Sequence, residues 1–268
     1  VEDIREDTIV VIPSKRPAPI KTLQSYKTRR RILVLSDPDV YEQHRQFFYD
    51  GDMGGNIQVV QGVKGSIPQA LEVYRQAAKH GFKYFFRLDD DLQEKFFVDV
   101  FGGFPSLDEA IDEARKCIDV TKTSLAGFMN TSRLDWLNPL KEYKRTFGLI
   151  HGGASIGLAT LTPEHFLDPR LPAYDDVYRS AAHRLRDGAV GRVSWIGLDK
   201  RESLRDTTVP KSPELIAECK RIILGTFPDM VSCNGERVLD GGRQVIPNWR
   251  MKGRAKPIQP GGPDVLRS

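Results

Sequence analysis

Cysteine is scarce in this chain, and what there is cannot act in concert. Its 268 residues hold three, Cys117, Cys219 and Cys233, an odd number with no C-x-x-C pair. That argues against a disulfide scaffold and against the close ligand spacing of a zinc or dithiol site, and leaves the cysteines reduced and structural. No apolar run approaches the roughly 20 residues that span a bilayer. The stretch VEDIRED is acidic where a secretory leader is basic and then apolar, so the expected location is cytoplasmic. No internal repeat or low-complexity tract is visible. Charge of one sign is lacking too: 40 Lys and Arg against 36 Asp and Glu leave +4, a mild excess that suits an anionic partner without identifying one.

What is present is ordinary globular material, 40% apolar and 28% charged, arranged as alternating strands and helices. TIVVIPS (8–14), RRILVLSD (30–37), NIQVVQG (56–62) and KYFFRLDDD (83–91) read as buried strands of a parallel sheet. Ala70, Leu71, Tyr74, Ala77 and Ala78 repeat at helical spacing ahead of Gly81. Ser106 and Glu109 form an S-x-x-E capping box. SLAGFMN, GASIGLATL and RVSWIGL are later strands, YDDVYRSAAHRLRDG is a helix closed by Gly188, and Ser212-Pro213 open a last helix. The expectation is one α/β domain over 1–228 and a less regular extension over 229–268, packed on or beside it. That extension carries Arg250, Lys252, Arg254 and Lys256 as a solvated basic tail.

Open sheets of this kind bind ligands at the carboxyl ends of their strands. The polar residues there are Ser14, Lys15 and Arg16; Ser36 and Asp37; Lys64 and Ser66; and Asp89, Asp90 and Asp91. Three adjacent carboxylates repel one another unless a cation neutralises them. Arg87 is one candidate, and a hard divalent metal is the other. If the strand persists that far, alternation would send Asp89 and Asp91 to one face and Asp90 to the other. Capping of the next segment and pairing with nearby Lys or Arg would explain the triplet equally well on its own.

The ordered set IVVIPSKRP, LVLSDPD, VKGSIPQAL, FRLDDDL, HGGASIGLATLTPEHF and YDDVYRSAAHRLRDG resembles the GT-A class of nucleotide-sugar-dependent glycosyltransferases. The resemblance covers roughly 8–200. It implies a Rossmann-like, mixed but mostly parallel sheet flanked by helices, and a D-x-D motif that holds Mn²⁺ or Mg²⁺ against a sugar diphosphate. By the resemblance, Pro13, Ser14 and Arg16 line the nucleotide pocket and Asp37 accepts a hydrogen bond from a uracil-type base. Lys64 and Ser66 lie near ribose or diphosphate, Asp89 and Asp90 approach ribose and sugar, and Asp89 and Asp91 are the metal carboxylates, Asp91 the firmer. A further ligand is often a histidine, with His151, His165 and His183 as candidates. An acceptor hydroxyl needs a base. Asp175 and Asp176, at a helix start, suit that role, which implies single displacement with inversion; as helix-start aspartates they would also be stabilising without any chemistry.

Within the class, I-P-S-K-R, R-L-D-D-D and G-G-A-S-I-G followed by Y-D-D resemble the DNA-base glycosyltransferases associated with TET/JBP-type dioxygenases, found in phages and base-J-forming protists. That implies UDP-glucose as donor, the hydroxymethyl group of 5-hydroxymethylcytosine in DNA as acceptor, and a host cytoplasm if the gene is a phage's. Lys27, Arg29, Arg30, Arg31 and the basic tail could meet phosphates, and Trp136, Tyr143 and Trp249 could stack on a base. The stretch NTSRLDWLNPLKEYKRTFGLIHGG is the expected acceptor loop. The alternatives are a glycan or protein acceptor, or a non-catalytic module that binds sugar nucleotide or nucleic acid. A nucleotidyltransferase is disfavoured, because PSKRPAP after the first strand has no glycine.

Overall fold

A computed structural model describes residues 7–50, 55–199, 212–239 and 244–253. Strands β1 (Thr8–Ser14), β2 (Ile32–Ser36), β3 (Ile57–Gln61) and β4 (Tyr84–Leu88) run parallel. β6 (Leu125–Met129) and β9 (Val190–Leu198) share their direction, while β5 (Phe97–Asp99), β7 (Tyr143–Thr146) and β8 (Ala154–Leu158) run against it. The spatial order is β3-β2-β1-β4-β8-β6-β9-β5, with β7 also on β9. This is the mixed, mostly parallel α/β sheet the sequence implies.

The central strands are mostly apolar because both faces are covered. Val10, Ile12, Val34, Phe86 and Leu88 pack with Leu107, Ala110, Ile111 and Ala114 of helix α4 (Leu107–Thr121). Alternate residues Ile9, Val11, Leu33, Leu35 and Phe85 face Val73, Tyr74 and Ala77 of α3 (Ser66–Lys79) on the other side. The short α1 (Lys21–Ser25) and α2 (Tyr41–Asp50) follow β1 and β2. The Ser106–Glu109 capping box forms as expected. Helix α5 (Asp175–Asp187) ends on Gly188 in the left-handed region, and α6 (Pro213–Thr226) starts from the Ser212 cap. Among the described residues no helix is long and apolar enough to cross a membrane.

Two expectations are corrected. The segment after 229 is not irregular: β10 (Val231–Leu239) and β11 (Gln244–Met251) form an antiparallel hairpin, and Trp249 and Met251 pack with α5 and α6. Arg250 therefore belongs to a strand, and Arg254 and Lys256 lie outside the described residues. Alternation also fails in the acidic triplet, because β4 ends at Leu88 and Asp90 and Asp91 lie in a turn. Without strand geometry both can reach the same partner.

Candidate active site

The carboxyl ends of β1 and β4 meet at the acidic triplet. Ser14 Oγ donates to Asp90 at 2.6 Å. The Arg16 guanidinium spans two carboxylates, Asp90 through Nη1 and Asp91 through Nη2 at 3.1 Å. Thr22, on the first turn of α1, ties the triplet's backbone down: its Oγ1 donates to the Asp89 carbonyl at 2.6 Å and accepts from the Leu92 amide at 2.8 Å. Asp89 is set apart. Its side chain is 39% exposed, Arg87 approaches it only to 4.0 Å, and its amide donates to the Gly153 carbonyl at 2.9 Å.

Gly152 and Gly153 join this triplet to the second acidic group. A β-carbon on Gly153 would stand 3.0 Å from both Asp89 Oδ2 and His151 Nδ1, and one on Gly152 would stand 3.5 Å from the Asp176 β-carbon. At 153 a side chain would crowd both Asp89 and His151, so glycine there lets them approach closely, while at 152 a β-carbon would make only an ordinary contact with the start of α5. Arg87, 12% exposed, donates from Nη1 to Asp175. Arg179, buried one turn further along α5, donates to Ser155 Oγ at 3.1 Å. The backbone is fixed by Ser180, whose Oγ donates to the Asp176 carbonyl at 2.7 Å and accepts from the Ile150 amide at 3.0 Å.

These surroundings push the two carboxyls of α5 apart. Burial raises Asp175, but the Arg87 and Arg179 guanidinia outweigh it and hold the group below its ordinary value. Asp176 is pushed up to about 6, first by burial and then by the Asp175 charge beside it. Two neighbouring carboxylates with divided values, one fixed as an anion and one able to take a proton near neutrality, form the pattern of an acid–base group with its positioning neighbour. Although its side chain is 39% exposed, desolvation by the surrounding protein raises Asp89 against the pull of Arg87, with the Asp91 and Asp175 charges adding to the rise.

The other expected residues fall as follows. Pro13, Ser14 and Arg16 stand at the β1 end, and Asp37 follows β2, its amide donating to the Ser14 carbonyl at 2.7 Å. Lys64 is exposed and paired with Asp39 at 2.7 Å. Ser66 begins α3 after Gly65, whose φ of 103° suits glycine alone. Of the three histidines, His151 reaches the triplet, its Nδ1 accepting from the Gly153 amide at 3.0 Å. His183 is corrected to a structural role: Ser124 Oγ at 2.6 Å and Tyr74 OH at 3.1 Å engage both ring nitrogens, and the ring stacks on Phe166. His165 lies on a short turn beside Glu164, which pairs with Arg75.

The expected nucleic-acid contacts divide as well. Arg30 is fully buried against Asp108 and Asp112. The 27–31 cluster precedes β2, so it lies at the amino edge of the parallel strands, opposite the acidic triplet. Tyr143 packs on Trp195 and donates to Glu113, and Trp249 packs on Tyr174. Trp136 alone of the three aromatics is exposed. It stands with Leu134, Leu140, Phe101 and Phe104 on two adjoining loops at the β5 end of the sheet, four strands from β4. The stretch 130–153 expected as an acceptor loop thus contributes the exposed Trp136 and Leu140, an edge strand, and the His151–Gly153 turn.

Divalent metal is the implied cofactor. Among the described residues no three His, Cys, Asp or Glu side chains converge on one point. One or two carboxylates completed by substrate phosphates and water are nevertheless a sufficient set for Mg²⁺-type ions, and the turn that projects Asp89 and Asp91 at the sheet edge provides that much.

No family model and no curated protein matches the sequence. Solved structures do match the fold. GalNAc-T7, solved with UDP, GalNAc and Mn²⁺, aligns with 83% of this chain and 48% of its own at a TM-score of 0.58 and 13% identity. Two structures of S. aureus TarS each align with 82% of this chain, at 14% and 15% identity and TM-scores of 0.47 and 0.49. The chain spans 64% and 39% of those two, less than two thirds of any of the three. At such identities what is shared is the fold, and the GalNAc-T7 match agrees with the GT-A arrangement implied by the sequence.

Proposed function

We propose that this chain is a metal-dependent inverting glycosyltransferase that moves a sugar from a nucleotide donor, UDP-glucose in the first instance, onto a hydroxyl acceptor. The observation that carries the reading is the meeting of Asp89, His151 and Asp176 across Gly152 and Gly153, at the edge where such sheets bind ligands. Ser14 and Arg16 line the donor side with Pro13, and Asp37, Lys64 and Ser66 extend it along the ends of β2 and β3 toward the base and ribose. Asp89 and Asp91 would hold the metal, with the donor's phosphates and water completing its shell; among the described residues no histidine joins them as a third protein ligand. When bound, the ion supplies charge stabilisation to the departing diphosphate.

Asp176 is the base. Its raised value keeps it ionised above about 6 yet able to accept the acceptor's proton. Asp175 stays charged on Arg87 and positions its neighbour. With Asp176 acting as base toward the acceptor hydroxyl, the reaction is one displacement with inversion.

For the acceptor, the proposal is the hydroxymethyl group of a modified pyrimidine such as 5-hydroxymethylcytosine in DNA, a reading supported by the sequence resemblance and by the exposed Trp136. A glycan or protein acceptor is the second reading. Its specific support is the surface charge: Asp135 pairs with the Arg133 that covers Trp136, and the 27–31 cluster faces away. Intact-mass analysis of duplexes bearing cytosine or 5-hydroxymethylcytosine, incubated with Mn²⁺ or Mg²⁺ and a panel of sugar nucleotides, decides between them. A hexose-sized gain on the hydroxymethylated duplex alone supports the DNA acceptor. Donor hydrolysis without a gain points to the glycan or protein reading, and neither signal to a binding module without catalysis.

A further inference from the structure

Three aspartates in a row need positive charge, and the two arginines nearby supply it on different terms. Arg87 is 12% exposed and committed to Asp175. Arg16 is 28% exposed and forks over Asp90 and Asp91. Arg87 is itself enclosed, whereas Arg16 can turn toward solvent or a ligand. The buried carboxylates it would leave, Asp90 at 6% and Asp91 at 8% exposure, then need another partner, which Ser14 supplies to Asp90 at 2.6 Å and a cation can supply to Asp91. Arg16 also sits two residues past the end of β1, at the rim where the donor's phosphates are proposed to lie. A planar guanidinium suits phosphate oxygens as well as carboxylates. A divalent ion on Asp91 and a guanidinium on the same carboxylate would repel each other at such range. The two cations therefore compete unless phosphate stands between them.

We infer that Arg16 is a displaceable counter-cation: it neutralises Asp90 and Asp91 in the empty site, yields Asp91 to the metal, and moves onto the diphosphate of the incoming donor. The inference rests on the donor-site reading above. It explains how the triplet stays folded without metal, and it makes metal and nucleotide binding mutually reinforcing, since each helps to take Arg16 off the carboxylates.

Mn²⁺ binding followed by the electron paramagnetic resonance signal of the free ion, with and without UDP, tests this on wild type, Arg16→Ala, Arg16→Lys and Asp91→Ala, with thermal unfolding as the check on folding. Arg16→Ala is expected to bind Mn²⁺ alone about tenfold more tightly than wild type, and to lose a similar factor in UDP affinity at saturating Mn²⁺. Arg16→Lys keeps the charge but cannot fork, and should fall between the two. Asp91→Ala should lose Mn²⁺ binding. Equal or weaker Mn²⁺ binding in folded Arg16→Ala and Arg16→Lys overturns the counter-cation role while wild-type binding of UDP with Mn²⁺ keeps the donor site. Absence of Mn²⁺-dependent UDP binding in wild type overturns both.

Discussion

The molecule holds two acidic groups, each attended by an arginine, and they are built differently. At the β4 turn the carboxylates of Asp90 and Asp91 are buried, but the Arg16 that pairs with them is 28% exposed, and Thr22 tethers the backbone. At the start of α5, Arg87 meets Asp175 in a buried pair, leaving Asp176 with the raised value. The same chemistry with its arginine at different depths gives different properties. An arginine open to solvent can exchange partners, and an enclosed one fixes geometry and sets the protonation of its neighbour. The first suits a site that receives a charged ligand, the second one that handles a proton.

The largest effect expected from breaking this contrast is on the base. Asp176→Asn should lower transfer by about 10²- to 10⁴-fold while nucleotide binding persists, whereas Asp175→Asn should retain more activity. Unimpaired turnover in Asp176→Asn would rule out its role. In wild type the rate should fall as pH drops through about 6. The sign for stability is opposite. The folded protein holds the Asp176 proton more tightly than the unfolded chain, so this group's contribution is present at low pH and lost as pH rises from about 4 through about 6. Asp176→Asn should therefore unfold at a higher temperature than wild type at neutral pH.

Next in size is the buried pair. Arg87→Met removes the guanidinium bonded to Asp175 and leaves only the Arg179 charge beside it; it should cost up to about 3–5 kcal/mol by denaturant unfolding, with much of it regained in Arg87→Met/Asp175→Leu. Equal destabilisation in the single and double variants would show that the pair is not the cause. Gly153→Ala pushes a methyl against Asp89 and His151. It should cost about 1–3 kcal/mol and weaken Mn²⁺-dependent nucleotide binding, so a variant that binds as wild type would mean the two groups need not converge. Trp136→Ala, on the exposed loop, should leave stability within about 0.5 kcal/mol and raise only the KM for acceptor; a changed donor affinity instead would place Trp136 on the other side of the site.

Much of the fold was legible in the sequence, for identifiable reasons. β1, β2 and β4 are mostly apolar runs because both faces are buried, and the Ser106, Ser212 and Gly188 signals sit where helix ends require them. The three-residue β5 and the polar edge strand β7 escaped because their short or half-exposed segments carry little periodicity. The β10–β11 hairpin escaped because Pro247 and Gly235 interrupt its pattern, and partner packing rather than local preference fixes it. In the site, the acidic residues and both arginines were visible but their pairing was not: Arg87, expected to neutralise the triplet, goes instead to Asp175, 88 residues away in sequence. Arg179, four residues after Asp175 on one helix face, was within reach of a spacing argument. Thr22 gave no signal beyond a hydroxyl near the end of β1.

The account stands on the acidic turn being a donor site, and calorimetric titration of UDP into the protein with and without Mn²⁺, repeated on Asp91→Ala, tests that most directly. Binding that requires Mn²⁺ and disappears in Asp91→Ala is the predicted result. UDP binding of equal strength without metal and in Asp91→Ala, or no binding under any condition, would contradict it.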